Sequence, residues 1–312
     1  IGWHYGFGLA GIGMTLGLIL FMWLGPKYFE DKGLPNDPNA GKKPLFAGLS
    51  VNSTIILGTI GLIPVVMFLL NPNAILSRVL LGVSILILSY IIWHALSLPD
   101  RKEGQRLLVI VFLFFFHMIF WMLFEQAGGS IALFTDKNVN RMVLGTEIPA
   151  SQFGALNGFF VILLAPIFSW MWMWLGKRKM EPSTPLKFLL GLFQIALGFG
   201  LIVWGARSFA TDGLMPLVFL VMMYFFHTSG ELSISPIGLS MISKLSPAKM
   251  VGFVMGAWYL SISLGNSLAS EIGKLTAGGN LDGTNLSRTD SLVVYTDTYL
   301  LWGIYVVLGI TV

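Results

Sequence analysis

The sequence predicts an all-α membrane protein. Of its 312 residues, 55% are hydrophobic and only 11% are charged, whereas a soluble domain averages about 25% charged residues. Its apolar runs exceed the roughly 20 residues that a helix needs to cross a bilayer, and they lack the alternation of barrel strands. The mean hydropathy of +0.79 agrees with this class. The net charge of +4 does not indicate a nucleic-acid partner, and the absence of Cys excludes disulfides and thiolate metal sites.

Nine apolar segments are predicted to be helices, because lipid leaves no water to hydrogen-bond an open backbone. In chain order they are residues 1–25, 46–70, 75–97, 107–133, 150–175, 186–208, 214–243, 249–275 and 297–312. The connection 26–45 is the most polar, and it contains Pro and Gly, which interrupt helices. Residues 276–296 are rich in Gly, Asn, Ser and Thr and are predicted to form a loop.

Both ends of the sequence suggest a piece of a longer chain. It begins without Met, inside an apolar run that lacks the basic start and cleavage pattern of a signal peptide. Only fourteen residues follow Thr298, too few to span a bilayer. We therefore expect an internal fragment of a larger, transporter-sized protein.

The distribution of Lys and Arg predicts the orientation of the helices, because cytoplasmic loops carry an excess of these residues. Alternate connections hold 13 of them on one side of the membrane and 6 on the other. The side with 13 is assigned to the cytoplasm. The helix 107–133 then runs outward, and the helix 214–243 runs inward.

Two of the predicted helices each place one carboxylate near the middle of the membrane. Glu231 is the one formal charge in 214–243, and Glu125 is the one in 107–133. An acid there costs on the order of 3 kcal/mol, so it normally faces protein or a water-filled cavity and has a function. Removal from water also makes its protonation accessible. We predict a cation or proton site in one shared cavity, with structural acids hydrogen-bonded within the bundle as the alternative.

Several other residues lie beside these acids. Trp121 is four residues before Glu125 and His227 is four before Glu231, so each pair shares a helix face. His227 is either a hydrogen-bonded core residue or a group that titrates with the acid. Pro236 lies five residues after Glu231, where a loosened backbone would provide a hinge.

Further polar residues complete the list of candidates. Asn157 and Gln126 are uncharged groups available to hydrogen-bond a ligand or a neighbouring helix. The four histidines, His4, His94, His117 and His227, offer no pair with a nearby third ligand for zinc. No Ser-His-Asp order, HExxH motif or Walker A loop is present. The sequence therefore predicts no catalytic residue, metal site or cofactor, and it does not indicate an enzyme.

Four runs of the sequence resemble the proton-dependent oligopeptide transporter (POT/PTR) family. They are GWHYGFGLA, FWMLFEQAGGSIALF, LNGFFVILLAPIFSWMW and SGELSISPIGLSMISKLSPAKMVGFVMGAWYLSISLGN. The resemblance implies a major facilitator fold of two six-helix bundles that face a central site. Residues 1–25 then resemble the last helix of the amino-terminal bundle, and 26–106 a cytoplasmic linker with an inserted two-helix hairpin. Residues 107–312 resemble the carboxy-terminal bundle, helices seven to twelve, with the last truncated.

The same resemblance implies a substrate-binding site. Glu231 matches the acid that binds the amino terminus of the peptide, and Ser235 lies one turn further in the same pocket. Asn157 matches an asparagine that contacts the peptide. Trp121 and Trp258 match aromatic residues that line side-chain pockets.

The resemblance also implies how transport is coupled and gated. Glu125 matches the acid tied to proton coupling, Asp136 an acid that pairs across the outer gate, and Pro236 lies at the predicted hinge. The family's first-helix ExxER motif and fourth-helix Lys have no counterpart here, which agrees with a missing amino-terminal bundle of the same chain. The fragment alone is not expected to transport.

These observations together predict proton-coupled symport of di- and tripeptides by alternating access, in the plasma membrane of a bacterium (its inner membrane), by a multi-pass protein. The expected partners are small peptides, protons, the lipid bilayer and the missing bundle, without nucleic acid. A relative that moves nitrate or another small solute is the nearest alternative, although two acids would repel an anion. A non-transporting helical subunit of a membrane complex is an alternative of a different class.

Overall fold

Helices form almost all of the described chain. The computed structural model describes residues 3–29, 37, 39–46, 48–69, 75–276 and 286–311, and the chain divides into two units, Ile1–Asn73 and Ala74–Val312. The predicted domain boundaries, 1–25, 26–106 and 107–312, stay a prediction.

The first unit contains two long helices, α1 (Trp3–Phe29) and α2 (Val51–Leu69). Between them lie a 3-10 turn, Ala40–Lys42, and an antiparallel hairpin of β1 (Pro44–Phe46) and β2 (Leu49–Ser50). Nearly all described side chains of the two helices are exposed. Apolar side chains on the outside of a helix are suited to contact with lipid.

The second unit is a helical bundle. Its helices are α3 (Ile75–Ser97), α4 (Arg101–Phe124), the short α5 (Ser130–Asn138), α6 (Ala155–Lys177), α7 (Thr184–Phe209), α8 (Leu217–Leu245), α9 (Val251–Thr276), α10 (Arg288–Thr298) and α11 (Val307–Thr311). A π-helix, Tyr299–Val306, joins the last two. The core lies among α4, α7, α8 and α9, where the largest fully buried side chains include Trp258, Tyr299, Phe120, Phe199 and Leu192.

Short strands pair within the loops that follow α5 and precede α8. Strand β3 (Val139–Asn140) pairs in parallel with β6 (Met215–Pro216), which joins the end of α5 to the start of α8. Strands β4 (Met142–Val143) and β5 (Thr146–Glu147) form an antiparallel hairpin. A 3-10 turn, Ala150–Gln152, then leads into α6.

All nine predicted segments are confirmed as helical within the described residues. Among the residues that the structure describes, eight segments are long and apolar enough to cross a membrane: His4–Phe29, Val51–Phe68, Leu76–Ser97, Arg101–Asn138, Ala150–Lys177, Thr184–Phe209, Leu217–Leu245 and Arg288–Ile310. Helix α9 is not one of the eight. It has 26 residues, but its Ser and Gly content, with Glu271 and Lys274, lowers its hydropathy.

The last helix begins earlier in the chain than the sequence predicted. It begins at Arg288 and not at residue 297, so the predicted loop is wrong for 288–296, and residues 277–285 lie outside the described ones. The segment Arg288–Ile310 is long enough to span, contrary to the expectation. The Gly, Asn, Ser and Thr residues of 276–296, together with Asp290, indicate a loop and so conceal the earlier start of the helix. Ser287 caps the helix by accepting a hydrogen bond from the Asp290 backbone N–H, 3.1 Å.

A second difference concerns the helix that contains Glu125. The segment 107–133 was predicted to be continuous, but α4 ends at Phe124 and a 3-10 turn, Glu125–Gly128, separates it from α5. The two glycines Gly128 and Gly129 explain the interruption, since glycine is a poor helix former. By contrast, α8 stays helical across Pro236.

Helices α7 and α8 pack closely because α7 carries a glycine every seven residues. A methyl group on Gly191, Gly198 or Gly205 would overlap the side chains of Ile234, His227 and Phe219, respectively. Small residues at such spacing let helix backbones approach each other in membranes. The stripe therefore fixes α8, and with it the residues that α8 presents to the rest of the bundle.

We expect Gly198→Ala to lower the free energy of unfolding by about 1–3 kcal/mol, because the new methyl group would overlap the buried His227 ring. The matched control is Gly200→Ala on the same helix, where the nearest atom, Ile304 Cδ1, lies 3.8 Å from the new Cβ. The control should change stability by at most about 1 kcal/mol. Thermal unfolding of the purified protein in detergent measures both, and equal effects would contradict the packing described.

Candidate functional site

Glu231 is the central residue of the 29-residue helix α8. Asn157, near the start of α6, donates a hydrogen bond from Nδ2 to Glu231 Oε2, 3.0 Å, and contacts Thr228 Oγ1 at 3.1 Å. Thr228 Oγ1 in turn donates to the carbonyl of Tyr224, 2.8 Å. Two residues predicted separately for the substrate site are therefore directly bonded. No described residue hydrogen-bonds Glu231 Oε1, so this oxygen is available to a ligand.

Glu125 lies at the end of α4, where the α-helix gives way to the 3-10 turn. It lines an open cleft of about 510 Å³ whose other wall includes Asn266, Ser270 and Lys274 of α9. Glu231 is not among the residues that line this cleft. The predicted single cavity for both acids stays a prediction.

The interruption at Glu125 is held by a buried hydrogen-bond network. Gln126 Nε2 donates to the carbonyls of Met122, 3.2 Å, and Ala269, 3.0 Å, while its Oε1 accepts from Ser130 Oγ, 2.6 Å. Tyr299 OH donates to Ser130 Oγ, 3.2 Å. Gln126 thus bonds a neighbouring helix, which is one of its two predicted roles. The network anchors the turn to α9 and to the last helix.

The two predicted pocket tryptophans differ in their surroundings. Trp121 is partly exposed and donates its indole N–H to His117 Nε2, 2.8 Å. Trp258 is only 1% exposed, and its ring packs on His117 and against Gly238. Trp258 therefore belongs to the packed core in this conformation, whereas Trp121 stays partly exposed.

The remaining residues predicted on α8 lie as follows. Ser235 is one turn after Glu231, and its Oγ is buried without a hydrogen bond to any described residue. Pro236 is exposed. His227 is buried as expected of a core histidine, but neither ring nitrogen makes a hydrogen bond within the described chain, although the Ile195 backbone lies beside the ring.

Asp136, the predicted gate residue, is paired within this chain. Arg141 forms ion pairs with Asp136, 3.1 Å, and with Glu147, 2.9 Å. The Asp136 side chain is nevertheless 65% exposed. One guanidinium shared by two carboxylates leaves this outer cluster with a net negative charge.

Sequence reasoning missed three residues of this region: His117, Thr228 and Ser261. His117, Trp121 and Glu125 are spaced by four, so one helix face carries all three. That spacing was visible in the sequence and would have identified His117. Thr228 and Ser261 act across helices, and no local pattern indicates such partners.

The sequence of the chain is similar to that of known peptide transporters. A model of the POT family matches residues 1–288. The peptide transporter YePEPT of Yersinia enterocolitica is 36% identical over 292 residues, covering 90% of this chain and 57% of that protein. Dipeptide and tripeptide permease A of Erwinia pyrifoliae is 30% identical over 279 residues, covering 88% of this chain and 54% of that protein. The chain thus spans little more than half the length of these relatives.

Solved structures show the same similarity. A crystal structure of a peptide transporter POT in complex with sulfate is 30% identical, with a TM-score of 0.66, and the match covers 99% of this chain and 61% of that one. A POT family transporter in complex with 5-aminolevulinic acid is 23% identical, with a TM-score of 0.69, and the match covers 99% of this chain and 63% of that one. The second similarity concerns the fold alone.

We expect Gln126→Leu to lower the free energy of unfolding by about 1–3 kcal/mol, because it leaves the Ala269 carbonyl and the Ser130 hydroxyl without their partner in the core. Gln105→Leu, on the exposed surface of α4, is the matched control. Hydrogen exchange should also accelerate at Glu125–Gly128 in the first variant alone. Unchanged exchange there would show that the network does not hold the turn.

Proposed function

The chain belongs to the POT family, and from this premise we propose that it forms the part of a proton-coupled symporter that binds the amino terminus of di- and tripeptides. The membership confirms the resemblance identified from the sequence motifs and the predicted transporter fold. It also places the chain in the plasma membrane, as a multi-pass protein of the bacterial inner membrane. The names of its relatives, transporters and permeases, support transport rather than catalysis.

The hydrogen bond between Asn157 and Glu231 carries this proposal. An acid in the middle of a membrane helix is costly unless polar groups surround it, and Asn157 satisfies one oxygen only. The ammonium of a peptide supplies the missing partner for Oε1 through a charge-assisted hydrogen bond. The hydroxyl of Ser235, one turn away, is buried in this conformation and makes no hydrogen bond to any described residue, so on this proposal it contacts the peptide backbone only in another conformation of the transport cycle.

Asn157 has two tasks on this proposal. Its amide nitrogen is committed to Glu231 and Thr228, which orients the side chain. Its carbonyl oxygen is left to accept an N–H of the peptide backbone. The indole of Trp121 receives the peptide side chain, and an aromatic face tolerates side chains of different kinds because it makes no hydrogen-bond demand.

Glu125 binds the transported proton on this proposal. It lies at an interruption between two helices and beside an open cleft. Protonation removes its charge and its attraction to a basic residue elsewhere in the full-length protein, which shifts the bundles toward opening inward. A gradient of one pH unit supplies about 1.4 kcal/mol per proton, enough for roughly tenfold accumulation of substrate.

Two further residues contribute to gating on this proposal. Asp136 offers an exposed carboxylate at the outer end of the bundle, where it pairs with the opposite bundle when the outer gate closes. Pro236 removes one backbone hydrogen bond from α8 just beyond Glu231. That missing bond makes α8 easier to bend next to the substrate.

We expect Glu231→Gln to weaken binding of peptides with a free amino terminus by about 10- to 100-fold, since a hydrogen bond to a charged group contributes about 1.5–3 kcal/mol. The measurement is competition with labelled dialanine uptake by the full-length protein in liposomes, using dialanine and N-acetyl-dialanine as competitors. Glu271→Gln, an exposed α9 residue paired with Lys274 at 2.6 Å, is the matched control. Full competition by dialanine in Glu231→Gln would refute the ammonium site.

We expect Glu125→Gln to abolish accumulation driven by an imposed pH gradient, because a glutamine side chain cannot take up or release the transported proton. Counterflow exchange of labelled dialanine, which needs no net proton movement, should persist. The two assays on the same liposomes separate proton coupling from folding and substrate binding. Proton-driven uptake at the wild-type level would overturn the role of Glu125.

A further inference from the structure

His117 makes a hydrogen bond with each of its ring nitrogens. It is 1% exposed, in α4, facing α9. The indole N–H of Trp121 donates to its Nε2, 2.8 Å, and its Nδ1 lies 2.7 Å from Ser261 Oγ. The ring also stacks on Trp258, with centroids 3.9 Å apart and planes at 25°. Three independent contacts therefore fix the ring.

The chemistry of these partners determines which nitrogen of His117 carries the proton. An indole N–H can only donate, so Nε2 accepts and is unprotonated. Nδ1 then carries the hydrogen and donates to Ser261 Oγ, while the Ser261 hydroxyl donates to the Trp258 carbonyl, 2.6 Å. Each group in this network donates to the next, from the Trp121 indole through His117 and Ser261 to the Trp258 carbonyl. If Nε2 were also protonated, its N–H would face the indole N–H of Trp121, and neither group can accept a hydrogen bond. The arrangement therefore requires the neutral ring.

This hydrogen-bond network fixes the orientation of Trp121. Its N–H is its only polar group, and that group is satisfied inside the protein. Gly265 of α9 approaches its Cβ so closely that a methyl group there would lie 2.9 Å away, and Phe124 packs edge-on against its ring with centroids 5.2 Å apart. The indole is thus held in one orientation beside Glu125.

We propose that His117 is a positioning residue for substrate selectivity: it holds Trp121 so that the indole faces, and not its N–H, meet the side chain of the bound peptide. The inference rests on the proposed function of the site. By accepting the indole N–H of Trp121, His117 allows the pocket to bind large apolar side chains. An unpaired indole N–H in the pocket would disfavour such side chains.

The first test does not depend on transport. Nitrogen NMR of the full-length protein labelled at histidine, compared with His117→Gln to assign the signal, reports which ring nitrogen is protonated. The expected result is a neutral ring with Nδ1 protonated. A ring protonated at Nε2, or at both nitrogens at neutral pH, would overturn the assignment.

The second test measures KM and kcat for Ala-Phe and dialanine uptake by the full-length protein in liposomes. His117→Phe keeps the stack on Trp258 but removes the acceptor for Trp121. It should raise the KM of Ala-Phe relative to dialanine by about three- to tenfold, the effect of one buried hydrogen bond, with little change in kcat. His117→Gln, whose amide can accept from Trp121 and donate to Ser261, should restore the ratio.

The double variant decides whether the effect passes through Trp121. With Trp121→Phe there is no N–H to satisfy, so adding His117→Phe should leave the KM ratio unchanged. An equal shift in both backgrounds, or none in either, would overturn the inference. If His117→Phe does not fold, Ser261→Ala, which removes the Nδ1 partner, must shift the ratio in the same direction. Failure of the wild-type protein to take up dialanine would instead refute the proposed function, and the NMR result would still stand.

Discussion

A carboxylate in the middle of an apolar bundle must have polar partners, and this requirement shapes the second unit. Asn157 and Thr228 surround Glu231, so α6 has to approach α8 at this level. Helix α8 is in turn fixed by α7 through the glycine stripe. The same helix therefore packs tightly against α7 through its contacts with Gly191 and Gly198 and is bonded to α6 through Glu231. Only the second oxygen of the carboxylate is left for a ligand.

The second acid is accommodated differently. Glu125 does not lie within a continuous helix but at the turn between α4 and α5, where the chain has no regular α-helical bonds to maintain. Gln126, Ser130 and Tyr299 hold this turn by buried hydrogen bonds. Glu125 itself faces an open cleft with Asn266 and Lys274. One acid is therefore ordered by a direct bond, and the other by the anchoring of the backbone beside it.

The helices could be predicted from the sequence because hydropathy is a local property of each segment. The prediction was wrong where local composition misleads. Asp290 and the polar residues around it made the start of the last helix look like a loop, although Ser287 caps the helix by accepting a hydrogen bond from the Asp290 backbone N–H. The turn at Glu125 was missed because its Gly128 and Gly129 follow a long apolar run. Both errors arise where a few polar or flexible residues interrupt an otherwise apolar stretch.

Individual residues of the site could be predicted from the sequence, but the contacts between them could not. Depth in the membrane singled out Glu231 and Glu125, and family motifs added Asn157 and Trp121. Their bonds could not be predicted, because Asn157 and Glu231 are on different helices and no spacing links them. The core position of Trp258 also depends on a remote residue, Gly238, which leaves room for its ring.

The charge balance of the two acids gives a reason for the proposed coupling of proton and peptide. Glu231 and Glu125 are each the one formal charge of a long apolar segment of the sequence, and a charge is costly to hold within a membrane. A proton on Glu125 or an ammonium at Glu231 removes one negative charge, and only the two together leave the pair neutral. Passage through the occluded state is least costly for a neutral site. On the proposed function, the form with one proton and one peptide amino terminus bound is therefore the form that crosses the membrane at the lowest cost.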